Sequence, residues 1–133
     1  MRSSQPTTAP SPLVRWLPFL FAAGAIFWLV NLTQTAALAA SPVGRDELIQ
    51  TLANTGLTQN ASAFLAIYFV AVFMFEATAA GLHGAAFYGL RRKRWWGWVV
   101  AVIVAGAWSL VLIGIPVFVY LLQRQTRAAY GVR

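Results

Sequence analysis

The chain has 133 residues, 59% hydrophobic and only 10% charged, with ten Lys+Arg, three Asp+Glu and a net charge of +7. Soluble domains average about 25% charged residues, so the deficit argues against an ordinary soluble domain. The lack of cysteine excludes disulfides, thiolate metal sites and iron–sulfur ligation in this chain. The positive charge is no nucleic-acid footprint, because the cations sit at the ends of apolar runs, where they anchor helices against anionic headgroups.

Residues 1–12 form a Pro/Ser/Thr tail too polar to build a core, and read as disordered. A first apolar span follows over about 14–40, with Arg15 and Trp16 at an interface and Pro18 expected in the first helical turn, where a missing N–H costs little. This run also has features of a signal peptide, with Ala37-Leu38-Ala39 as a cleavage site. The gap between its apolar stretch and that cut is long, so a retained helix is expected.

The connector predicts an interfacial helix over about 42–54. Ser41 suits the N-cap and Pro42 the first helical position, with Asp46 and Glu47 early in the segment. Leu48, Ile49 and Leu52 fall on one face, opposite Gln50, Thr51 and Asn54, and Gly56 offers a left-handed stop. Asn60-Ala61-Ser62 matches a glycosylation sequon, but its position favours an N-cap for the next span.

The second span, about 62–90, carries Glu76 near its middle. A charged carboxylate there costs several kcal/mol, so the acid is expected to be neutral, paired or functional. Asn31 and Gln34 of the first span are its expected hydrogen-bond partners. His83, the only histidine, lies seven residues on and shares a helical face with Glu76. Beside it runs a small-residue stripe, Ala77, Gly81, Ala85 and Gly89, expected to let another helix approach closely.

Arg91, Arg92, Lys93 and Arg94 then mark a membrane boundary, cytoplasmic by the positive-inside tendency. Trp95, Trp96 and Trp98 extend an aromatic belt that includes Trp16 and Tyr88, and the N-terminus is accordingly expected in the cytoplasm. A third span is expected over about 95–122, kinked where Pro116 removes the bond to the Leu112 carbonyl. Three straight spans leave six Lys+Arg inside and four outside. Folding the third back at Gly114–Pro116 gives nine and one, but the returning limb has too few residues to cross. The expected fold is therefore all-α: one membrane domain over 13–133 with three transmembrane helices and a short interfacial helix, its third span re-entrant or broken in the alternative.

No paired carboxylates, Ser/His/Asp constellation, phosphate-cradling loop or metal-ligand spacing is visible. The order of parts resembles a diffuse group of small uncharacterised bacterial multi-span membrane proteins. The likeness rests on Asn54-Thr55-Gly56-Leu57-Thr58 and on Gly89-Leu90-Arg91-Arg92-Lys93-Arg94-Trp95, and it implies a multi-pass protein of the bacterial inner membrane. The stretch Ala79-Ala80-Gly81-Leu82-His83 is similar to the way light-harvesting antenna polypeptides present an axial histidine. That second resemblance implies bacteriochlorophyll at His83, with haem as a further option. The favoured expectation is a non-catalytic accessory subunit without a cofactor, packing against other membrane chains in the bilayer. The alternative is a cofactor-bearing subunit of a photosynthetic or respiratory complex.

Overall fold

The computed structural model describes residues 12–56, 60–110 and 114–132. The expected tail before Pro12 and the Leu57-Thr58 part of the connector lie outside the described residues. Among the described residues six helices follow in order: α1 (Pro12–Ala40), α2 (Pro42–Asn54), α3 (Ala61–Arg91), α4 (Trp95–Ser109), α5 (Ile115–Leu122) and α6 (Arg124–Ala129). Two of them, α1 from Val14 and α3, are long and apolar enough to cross a membrane. At 1.5 Å per residue they measure about 40 and 46 Å against a core of about 30 Å. The chain divides into two compact units, one of residues Met1–Ala22 with Leu82–Arg133, the other of Ala23–Gly81.

The second unit holds the later part of α1, all of α2 and the first part of α3. Its helix α2 forms as its sequence dictates. The Ser41 hydroxyl caps it by accepting from the Gly44 N–H at 3.2 Å, and Pro42 follows in the first turn. Leu48, Ile49 and Leu52 are half-buried while Gln50, Thr51 and Asn54 are exposed. Gly56 ends the segment with φ +87°, a conformation that costs glycine little. Asn60 precedes α3 with φ 70°, and its carbonyl accepts from the Phe64 N–H at 3.0 Å. In this part of α3 the buried positions are Ala61, Leu65, Phe69 and Glu76. Their spacing of four to seven residues defines a single seam along the helix.

The first unit holds the beginning of α1, the end of α3, and α4 to α6. Here α1 starts earlier than expected, so Pro18 lies inside the helix, buried, rather than in its first turn. The bond its N–H would have made to Val14 is forgone. The larger correction concerns the third span. Helix α4 has 15 residues and α5 eight, and α5 doubles back antiparallel on α4. The Trp98 indole N–H donates to the Leu121 carbonyl at 2.9 Å, and a Cβ on Gly106 would touch the Phe118 ring. In a continuous helix Trp98 and Leu121 would stand about 34 Å apart. A helical hairpin, the broken form of the third helix, thus stands in place of one straight helix. The physical reason is local. Helix α4 ends at Ser109, and the Gly114 N–H reaches back to the Trp108 carbonyl at 3.2 Å. A Cβ at Gly114 would run into the backbone of Ala105, Trp108 and Ser109. Pro116 near the start of α5 costs it nothing, because first-turn N–H groups lack intrahelical partners.

The core of this unit is Leu17, Phe21, Ala86, Leu90, Ala101, Val104, Ala105, Leu121 and Tyr130. Between apolar helices in lipid, close packing and hydrogen bonds replace the hydrophobic drive. Gly89 and Gly97 supply the closest packing, since a Cβ on either would overlap the backbone of the other. That contact closes α3 against α4 within a three-residue turn. Lys93 in the turn takes φ 50°, a left-handed conformation that is strained for a residue with a side chain.

Candidate functional site

Polar side chains are scarce inside these helices, and the described structure gathers them at two places, one in each unit. In the second unit Glu76 is buried, 7% exposed. The Thr35 hydroxyl donates to its Oε1 at 3.1 Å. Its Oε2 is buried and has no hydrogen-bond partner among the described residues. Neither expected partner, Asn31 nor Gln34, takes part. Asn31 turns back to its own helix, donating Nδ2–H to the Phe27 carbonyl at 2.8 Å, and Gln34 is exposed. Thr35, one turn beyond Asn31, takes that place instead.

In the first unit His83 is buried, 5% exposed. The Trp108 indole N–H donates to its Nε2 at 2.9 Å, the two rings edge-on at 85°, with the Phe21 ring 6.2 Å away. An indole nitrogen can only donate, so Nε2 presents a lone pair. This bond ties the far end of α4, just before the hairpin turn, to α3. A magnesium or iron tetrapyrrole centre would need that same lone pair if bound at Nε2, so ligation there and the indole bond exclude each other. Trp108 carried a signal in the sequence. It stands away from the tryptophans of the interfacial belt, and a buried indole N–H needs an acceptor.

The small-residue stripe is divided. Gly89 is buried against Gly97, and Ala85 is half-buried. Ala77 and Gly81 are exposed, and a Cβ at Gly81 would meet nothing within 4 Å. The buried seam of α3 is the neighbouring one, which carries Glu76 and His83 with the larger apolar residues.

The cationic end belongs wholly to the first unit. Arg91, Arg92, Lys93 and Arg94 are exposed. The Arg92 guanidinium stands 5.0 Å over the Tyr88 ring and that of Arg91 5.8 Å over Phe87. Tyr88 stacks on Trp96 at 6.3 Å, and Trp16 and Trp95 are exposed. Trp98 differs from these belt residues, since its N–H caps the last turn of α5, whose carbonyls have no intrahelical donor. The hairpin brings Arg124 and Arg127 back to this end, because Leu121 lies beside Trp98.

Among the described residues no group of three His, Asp or Glu side chains could hold a metal ion. Comparison with known protein families, with characterised proteins and with solved structures returns no match. The class that the structure defines is an all-helical protein with two helices able to cross a membrane.

Proposed function

We propose that this chain is a multi-pass protein of the bacterial inner membrane that acts as a non-catalytic accessory subunit, packing against other membrane chains. One observation carries the reading. The stripe on α3 is consumed at Gly89 by an internal contact but open at Gly81, which is what a helix with one further neighbour outside the chain requires. The surface agrees, since Ile67, Val70, Met74 and Phe75 of the same helix are all exposed.

The orientation follows from charge. With α5 folded back, nine of ten Lys+Arg belong to the cytoplasmic side and Arg45 alone to the other. That distribution supports a cytoplasmic N-terminus and a re-entrant α4–α5 hairpin entered from the cytoplasm. The alternative, a bacteriochlorophyll- or haem-bearing subunit ligated at Nε2 of His83, requires Trp108 to leave that nitrogen. Absorbance of the purified protein between 400 and 900 nm separates the two readings.

The test of the packing proposal is a pair of substitutions on one helix. Gly81→Leu forces the backbones apart and is expected to release the partner or oligomer on a native gel. Tyr68→Leu, on an exposed position of the same helix turned away from the stripe, is expected to leave it intact. Equal retention in both variants would remove the stripe as an interface.

A further inference from the structure

The groove between α2 and the beginning of α3 takes no part in the polar contacts above. It encloses about 420 Å³, with Arg45, Asp46 and Ser62 on its polar wall and Ile49, Leu65 and Phe69 on its apolar one. Both charged residues are exposed, and among the described residues neither side chain forms an ion pair or a hydrogen bond. The groove sits where α1 has ended at Ala40 and α3 begins at Ala61. In a helix pair that crosses a bilayer, that is headgroup level.

This chemistry is specific in its order of charges. Guanidinium forks match phosphate oxygens, and the Ser62 hydroxyl is a second donor beside Arg45. A neighbouring carboxylate can only accept, so its natural partner is an ammonium that donates. A single lipid carries phosphate and ammonium two carbons apart. We propose that the groove binds a zwitterionic phospholipid with a primary amine, phosphatidylethanolamine. Its phosphate lies on Arg45 and Ser62, its ammonium on Asp46, and one acyl chain lies over Ile49 and Ala66, against the outer edges of Leu65 and Phe69. Phosphatidylglycerol lacks the cation. Phosphatidylcholine has the cation but no N–H to donate.

The proposal rests on the membrane reading of α1 and α3, and the experiment keeps the two apart. The full chain is reconstituted into nanodiscs of phosphatidylethanolamine, phosphatidylglycerol and phosphatidylcholine in equal parts. It is then released in mild detergent, and retained lipid is counted by native mass spectrometry. Phosphatidylethanolamine is expected to exceed phosphatidylglycerol by up to about fivefold, the upper worth of one exposed charge pair, and phosphatidylcholine by about twofold, the worth of one modest hydrogen bond. Asp46→Asn should level that preference, and Arg45→Gln should lower retention of all three lipids. Ala66→Trp, which fills the groove, should abolish retention while circular dichroism keeps the helix signal of the parent chain. Equal retention of the three lipids by the parent chain would overturn the proposal, as would a preference for phosphatidylglycerol or binding indifferent to Ala66→Trp. A chain that refuses the bilayer would overturn the membrane reading itself, whereas one that inserts and keeps no lipid would overturn the groove alone.

Discussion

The two units divide the chemistry of the chain between them. Every lysine and arginine but Arg45 falls within the residue ranges of the first unit, and all three acids, Asp46, Glu47 and Glu76, fall within the second. The units are also built differently. The first is tied by a glycine–glycine contact, two tryptophan hydrogen bonds and a core that includes fully buried Leu90 and Leu121. The second shows, among the described residues, the Thr35–Glu76 hydrogen bond and a sparse buried seam. The contrast teaches that positive charge is grouped with the part of the chain that must stay shut. The turn that carries the cations is the turn that Gly89 and Gly97 close.

The largest test of this division is topological and all-or-none. The chain has no cysteine, so single cysteines at Gln50, Lys93 and Gln125 report cleanly to an impermeant thiol reagent. Intact cells should label only position 50. Labelling at 125 would restore a straight third span and break the grouping of cations into one unit.

Next in size is the glycine contact. Gly97→Val puts a branched side chain into the Gly89 backbone and should destabilise the protein by about 3 kcal/mol, the upper part of the overpacking range. Gly84→Ala, where a Cβ meets nothing within 4 Å, should be neutral or stabilising by up to about 1 kcal/mol. Thermal unfolding in detergent measures both. Similar losses in the two variants would mean that the first unit is no tighter at its turn than elsewhere.

The polar contacts rank third. Trp108→Phe leaves Nε2 of His83 without its indole and should cost about 1–2 kcal/mol. In the second unit Thr35→Val should cost about 0.6 kcal/mol, an average interhelical hydrogen bond in a membrane. Glu76→Gln keeps the shape and the acceptor and should be tolerated. If Glu76→Gln alone abolished assembly, the carboxylate would be serving a partner's cation, and the second unit would be the one built for contact.

The smallest effect is a pH dependence at the end of the first unit. Burial, and then the neighbouring Tyr120, push the Tyr130 phenol up to about 12 from its ordinary 10. The folded state thus favours the neutral phenol. Its contribution is complete below pH 10 and is lost as pH rises from 10 towards 12. Tyr130→Phe should remove that part of the alkaline decline, and ultraviolet titration of the phenol is the direct check. An ordinary titration near pH 10 would mean that Tyr130 is not shut into the core.

Much of this was legible in the residues. The caps and faces of α2 follow from Ser41, Pro42, Gly56 and the Leu48/Ile49/Leu52 spacing, and the long runs of α1 and α3 follow from apolar length. The reversal at Gly114 was legible only as a break. A proline removes one bond and leaves the direction of the chain open, and eight residues cannot cross a bilayer. A limb that returns without crossing need not be longer, and the charge count already leaned that way. In the site, Glu76 and His83 declared themselves as polar residues in apolar runs. Their partners did not, because Thr35 and Trp108 are chosen by helix rotation, which a one-residue offset changes by about 100°.

The Trp98–Leu121 bond also sets an order of events during synthesis. Its two ends are 23 positions apart, and the acceptor is made last. At roughly 5–20 residues per second, the ribosome leaves α4 without its antiparallel neighbour for about one to five seconds. A 15-residue helix reaches only about 22 Å, too short to settle across the bilayer in that interval. Until α5 emerges, α4 must be sheltered by the end of α3, so the turn at Arg92–Arg94 has to close before the hairpin that follows it.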